Sequence, residues 1–350
     1  MMSFRDNYLD NAAWPNVMIC LIGEIREFKG KEALFEKQAP EVLRQLKEVA
    51  VIQSVESSNR LEGIEVAKKR LALLTKDKTS PMNRSEAEVA GYRDVLNTIH
   101  VSASYMALSP SLMLQMHRDL MSYATGSGGR WKASDNVIKE SLPSGQERIR
   151  FVPVPAWRTP EAIGELLLRF QEAKNMGNVD DLLLIGAFVL DFLSIHPFAD
   201  GNGRMARLLT LLLMYQSGYQ LGKYISLEKI IEETKESYYE TLEKSSQGWH
   251  EGKHDIIPWL TYFLNTILKA YQRFEERVGT VRQERGWKEK HVREVISTME
   301  SKFRIADLLE RCPDISRPTI QRVLNKMSHA GEIECLGKGK NALWQKRSSK

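Results

Sequence analysis

The chain has 350 residues, 42% hydrophobic and 27% charged, with a net charge of +5. That length supports two or three domains with a sizeable core, and no apolar run reaches the ~18 residues of a membrane span. Three widely spaced cysteines, Cys20, Cys312 and Cys335, and an acid-bearing N-terminus argue against a disulfide or zinc framework and against a secretory signal, and point to a reducing, cytoplasmic setting.

In chain order, apolar residues at helical spacing predict a helix from Ala39 to Glu56, continued by Ile64 to Leu74. Ser80-Pro81 breaks the pattern. Ser85, with Glu88 three residues on, reads as a capping box that starts a helix toward His100. A further helix follows Pro110. Gly126 to Asn136 is loop chemistry. Two β-prone runs then form a hairpin, Asn136 to Val154, with Pro143 and Gly145 at the turn. Helices resume at Glu161–Lys174, Asp181–Ser194, Gly203–Ser217, Leu227–Ser245 and Ile256–Arg285. His250 and His254 lie four apart, but Gly252 between them makes a loop the better reading than a metal site. The last residues change character: three short helices, the third capped by Ser316, precede two β-prone runs joined by a basic turn, which is a winged helix-turn-helix pattern. Trp287 to Lys350 holds 14 Lys/Arg against 8 Asp/Glu. Arg317, Arg322, Lys338 and Lys340 are its candidate contact residues, and either DNA or a protein could be its partner.

The chemistry is concentrated in SIHPFADGNGRMARLL, Ser194 to Leu209. An apolar helix ends at Ile195, and Pro197 stops it just after His196. Asp200 supplies a carboxylate. Gly201 and Gly203 flank Asn202 and let backbone N–H groups converge where a new helix presents its positive end. Arg204 and Arg207 stand three apart near one face of that helix. A base, a carboxylate for Mg²⁺ and an anion cradle suit phosphoryl or nucleotidyl transfer.

The string matches H-P-F-x-D-G-N-G-R-x-x-R at every fixed position and resembles the Fic (filamentation induced by cAMP) family of AMP transferases. The resemblance spans roughly residues 39–268, strongly at the loop and loosely elsewhere. It implies a mainly α fold: a Fic-type helical core with a β-hairpin flap, plus the C-terminal winged helix. The corresponding domains are 1–84 (with an inhibitory helix), 85–285 (catalytic core) and 286–350 (winged helix). It implies that His196 deprotonates a target hydroxyl that attacks the α-phosphate of ATP, and that Asp200 binds Mg²⁺. Gly201, Asn202 and Gly203 would line the anion hole. Arg204 would contact the outer phosphates, with Met205, Ala206 and Arg207 completing the ATP-binding segment and Tyr238 and Tyr239 near the adenosine. Phe198 would be a packing residue. Kinase-type relatives carry Ala and Lys where this chain keeps Gly201 and Arg204, which favours AMP transfer. Ser58-x-x-x-Glu62-Gly63 resembles the family's inhibitory motif, in which the glutamate pairs with the second arginine, here Arg207. The target protein would dock on the flap, 136–154, and a homodimer is compatible with the family. Two other readings stand beside this one: a DNA-binding transcriptional regulator with a nucleotide-sensing core, and an enzyme that removes AMP with the help of Glu62.

Overall fold

The helix Asp181–Ile195 is apolar on every side and is buried almost along its whole length, as a helix without a polar face must be. The rest of its unit packs around it in this computed structural model, which describes residues 1–38, 40–124, 128–141, 147–283, 287–312, 315–337 and 342–347. In chain order the elements are α1 (Asn16–Gln38), α2 (Pro40–Leu61), α3 (Lys68–Thr75), α4 (Arg84–Ser102), α5 (Pro110–Leu120), β1 (Ile138–Ser141), β2 (Glu147–Phe151), α6 (Thr159–Met176), α7 (Asp181–Ile195), α8 (Asn202–Gln216), α9 (Leu227–Glu233), α10 (Lys235–Ser246), α11 (Ile257–Gln283), α12 (Trp287–Thr298), β3 (Lys302–Arg304), α13 (Ile305–Arg311), α14 (Arg317–His329), β4 (Ile333–Cys335) and β5 (Leu343–Lys346). No helix among the described residues is long and apolar enough to cross a membrane.

Two compact units divide the chain. One comprises Met1–Arg26 and Glu48–Tyr271; the other comprises Glu27–Lys47 and Gln272–Lys350. In the first, α6 and α8 pack against α7, and Trp259 of α11 donates from Nε1 to the Gly186 carbonyl at 2.7 Å. A Cβ at Gly186 would overlap the Leu260 side chain, so this glycine sets how closely α7 and α11 approach. Asp191 is buried within α7, where desolvation pushes its carboxyl up to about 6. It is satisfied by Ser3 Oγ at 2.7 Å and Trp249 Nε1 at 2.6 Å, which ties the N-terminal segment to the core. Strands β1 and β2 pair antiparallel, with Lys139 opposite Ile149 and Ser141 opposite Glu147. The turn assigned to Pro143 and Gly145 lies outside the described residues.

In the second unit, Val292, Ile296, Phe303, Leu308, Ile320, Leu324 and Trp344 belong to one buried cluster that joins α12, α13 and α14 to the sheet. The sheet order is β3-β5-β4, one strand more than the expected hairpin. β3 has only three residues, with Phe303 alone turned inward, too short for an alternating pattern to be read.

Three local expectations need correction. Asn83, not Ser85, caps α4, accepting from the Glu86 N–H at 2.9 Å, so Ser85 sits inside the first turn and Glu88 is freed for other work. Leu227–Ser245 is two helices, because Thr234 leaves helical geometry with its hydroxyl bonded back to the Ile230 carbonyl at 2.8 Å. Residues 62–67 interrupt the run expected to continue into α3.

Candidate active site

Pro197 ends α7, and His196 adopts left-handed backbone (φ 51°) while its N–H still reaches the Phe192 carbonyl at 2.9 Å. The ring Nδ1 lies 3.2 Å from the Leu193 carbonyl. A carbonyl only accepts, so this contact assigns the proton to Nδ1 and leaves the Nε2 lone pair free. Burial pushes the pKa of His196 down to about 4, helped by the positive charges of Lys132 and Arg150 and opposed by the Leu193 bond and Glu62. The imidazole is therefore neutral at physiological pH, a base rather than an acid.

The loop after His196 is braced from several sides. Phe198 is fully buried and stacks on His117 with ring centroids 3.8 Å apart. Asn202 bridges the loop from within, accepting from Phe198 N at 2.9 Å and donating to Phe198 O at 2.7 Å. Lys132 Nζ donates to Ile195 O at 3.1 Å and to Asn136 Oδ1 at 2.7 Å, and Asn136 Nδ2 donates to Phe198 O at 3.1 Å. His117 accepts at Nδ1 from Gly129 N (3.0 Å), so its Nε2 donates to Asp200 O (3.1 Å), the opposite tautomer from His196. Gly201 takes φ 80°, a left-handed value that favours glycine.

α8 opens directly from this turn. Met205 N is the first amide bonded within it, to Gly201 O; among the described residues nothing accepts from the N–H groups of Asn202, Gly203 or Arg204. These are the orphan donors of a helix N-terminus, a ready anion cradle. Arg204 is 1% exposed and turns beneath the loop, where Nη1 donates to Glu88 Oε2 at 2.7 Å. Glu88 also receives Arg84 Nε at 2.9 Å. Removing one partner of a buried pair strands the other charge. Glu88→Ala should therefore lower unfolding free energy by ~3–5 kcal/mol, seen as an earlier urea midpoint; an unchanged midpoint would refute the pairing.

Arg207 faces the other way. Its Nε donates to Ser58 Oγ (2.8 Å), and Nη2 donates to both Ser58 O (2.9 Å) and Glu62 Oε1 (2.7 Å). Burial works against its charge, but the Glu62 carboxylate holds its pKa above the ordinary value. Glu62 follows the last turn of α2, which Gly63 closes at φ 77°. A Cβ on Gly203 would overlap the Glu62 carboxylate, so this side chain rests on the bare backbone at the start of α8. Glu62, His196, Gly203, Arg207, Tyr238 and Tyr239 together line a cavity of about 850 Å³, walled on one side by Ile138, Lys139 and Arg150 of the hairpin.

Residues 107–214 match the family model described as Fic/DOC family. These residues form a Fic/DOC family domain. A Fido domain-containing protein from Dictyostelium discoideum is 28% identical over 145 residues, covering 40% of this chain and 92% of that protein. The protein adenylyltransferase Fic of Drosophila erecta is 24% identical over 246 residues, covering 68% of this chain and 44% of the relative, so the chain spans under half the length of the fly protein. A Fic family protein from Desulfovibrio desulfuricans shares the fold, with a TM-score of 0.64 at 20% identity over 97% of this chain and 98% of that one. Fic-1 from C. elegans does so with a TM-score of 0.60 at 21% identity, covering 77% and 76% of the two chains.

In this Fic domain the expected site residues separate into two groups. His196, Gly203, Arg207, Tyr238, Tyr239 and Glu62 meet in the cavity. Asn202, Arg204, Met205 and Ala206 are buried away from it. The side chain of Asn202 braces the loop and that of Arg204 anchors it, while Met205 and Ala206 face the core, leaving only backbone for a ligand. Tyr238 is buried, with its ring 5.1 Å from that of Tyr239, whose hydroxyl donates to Leu61 O at 3.3 Å. His250 and His254 do not converge: one contacts Val152 O at 2.8 Å, the other Ser3 Oγ at 3.0 Å. Asp200 is half exposed, with Oδ1 accepting from Gly201 N at 2.6 Å. Among the described residues there is no cluster of three metal-ligating side chains. A lone exposed carboxylate at an anion cradle fits Mg²⁺, which is commonly held by one or two carboxylates, water and substrate phosphates. Sequence reasoning missed Glu88, His117, Lys132 and Asn136, which act through the loop, and Arg150, which stands 5.5 Å from the Tyr239 ring and whose buried Nε has no partner among the described residues.

Proposed function

We propose that this chain is a Mg²⁺-dependent protein adenylyltransferase held in check by its own Glu62. The observation that carries the reading is a neutral imidazole with its Nε2 lone pair free, at a cavity that also takes in Gly203, in the open first turn of α8, and Arg207. The target hydroxyl gives its proton to Nε2 of His196 as its oxygen bonds to the α-phosphorus of ATP. The bond from that phosphorus to the β-bridging oxygen breaks, and pyrophosphate leaves with its electron pair. The α8 N–H groups stabilise charge on the phosphoryl oxygens. Bound at Asp200, Mg²⁺ would offset the negative charge of the phosphates. Tyr238 and Tyr239 border the adenosine, and the target segment docks along the hairpin, 136–154, as an added strand. Glu62 on Arg207 occupies donors that the outer phosphate needs.

The test uses ATP labelled at either the α- or the γ-phosphate, incubated with Glu62→Gly protein and a cell lysate. Transfer of the α label alone supports nucleotidyl transfer; transfer of the γ label would make the protein a kinase, and transfer of neither would end the enzyme reading. A reverse activity is favoured by one detail: Glu62 lines the cavity, and its Oε2, without a partner among the described residues, is available to orient water. Wild-type protein added to the α-labelled product reports on it through release of AMP.

A further inference from the structure

α14 carries no acidic residue over its 13 positions, Arg317 to His329. Ile320, Val323, Leu324 and Met327 fasten one face to the core of its unit. The opposite face exposes Arg317, Arg322 and Asn325, with Gln321 half-buried beside them and its amide 3.2 Å from that of Asn325. Three other cations of the unit are spent on its acids: Arg293 on Glu332 at 2.7 Å, Arg347 on Glu334 at 2.9 Å and Lys326 on Glu289 at 2.6 Å. Arg317 and Arg322 have no carboxylate partner among the described residues. No large apolar side chain is exposed on this helix, so it lacks the anchor of a protein-docking surface.

We propose that this face of α14 binds duplex DNA in the major groove. From Arg317 to Asn325 the face is about 12 Å long at 1.5 Å per residue, close to the ~12 Å width of that groove. Two unpaired guanidiniums replace counterions on phosphates or fork onto guanine. Gln321 and Asn325, one turn apart, have the side-chain amides that pair with an adenine edge. The helix is positioned by α12, α13 and the three-stranded sheet, so it is a rigid reader rather than a basic tail.

The full-length chain is titrated against a fluorescent 30-bp duplex of mixed sequence and, separately, used to select from a randomised duplex pool. Anisotropy should show binding that weakens steeply with salt, and the pool should yield a preferred sequence. R317A/R322A should bind at least tenfold more weakly, with a salt slope smaller by about one for each phosphate it no longer neutralises, and with unchanged circular dichroism and thermal midpoint. Asn325→Ala should keep the mixed-sequence affinity but lose the selected preference. H196A should bind like wild type, which separates this surface from the adenylyltransferase reading. Absent or salt-independent binding, or full affinity in R317A/R322A, would overturn the proposal. So would protection of Arg317 and Arg322 by a protein partner that DNA cannot displace.

Discussion

Glu62→Gly should raise AMP transfer about 10- to 150-fold. Hydrogen bonds to charged groups contribute about 1.5–3 kcal/mol, and each 1.36 kcal/mol is a factor of ten in rate. The bond at stake is Arg207 Nη2 to Glu62 Oε1, 2.7 Å long, with the arginine buried and the glutamate 31% exposed. Because the carboxylate and a phosphate compete for one guanidinium, much of the gain should appear as a lower KM for ATP. Glu62 lies just beyond the last residue of α2, so a glycine there leaves the helix intact. Steady-state kinetics with α-labelled ATP decides the matter; equal rates and equal KM in the two proteins would remove Glu62 from any inhibitory role.

Within that activated protein, His196→Ala should cost about 10²–10⁴ in turnover, the usual contribution of a general base. His196→Asn, which tolerates the left-handed backbone at this position, should lose as much. The pH profile gives an independent reading. A lowered pKa keeps the imidazole unprotonated to a lower pH, so the rate should hold as pH drops through 6.5 and be lost only near 4. Glu62 raises the pKa of His196, so its removal cannot shift this limb upward. A limb near 6.5 would mean that the ring is solvated and uncoupled from Lys132 and Arg150.

How much of the molecule is legible in its sequence follows from the range of each interaction. The segment 194–209 announces its own turn, because Pro197, Gly201 and Gly203 dictate backbone locally and His196 follows directly from an apolar helix. Glu62 is legible only beside the loop, since a Ser-x-x-x-Glu-Gly string has no meaning until Arg207 is placed against it. Glu88 reads as half of a capping box because three-residue spacing satisfies that pattern; its actual partner is Arg204, 116 positions away. Lys132 and Asn136 brace carbonyls of the loop, contacts that no periodicity encodes. α1 is hard to see because Gly23 and Gly30 weaken its propensity, and Val17 and Ile19, 55% and 59% exposed, blur the stripe formed by buried Met18, Leu21 and Ile25. Fold class, by contrast, rests on many weak helical signals that add, and it survives errors at single boundaries.

The end of α2 is fastened at points that do not involve the Glu62 carboxylate. Ser54 donates to Glu228 at 2.7 Å, Ser57 and Arg60 to Glu232 at 2.8 and 2.7 Å, and Ser58 receives two bonds from Arg207. Swinging Glu62 aside breaks none of these. Freeing Arg207 for a ligand would thus take a single rotamer change on a stationary mount, with no undocking or unfolding, at the pace of side-chain torsions rather than of helix motion.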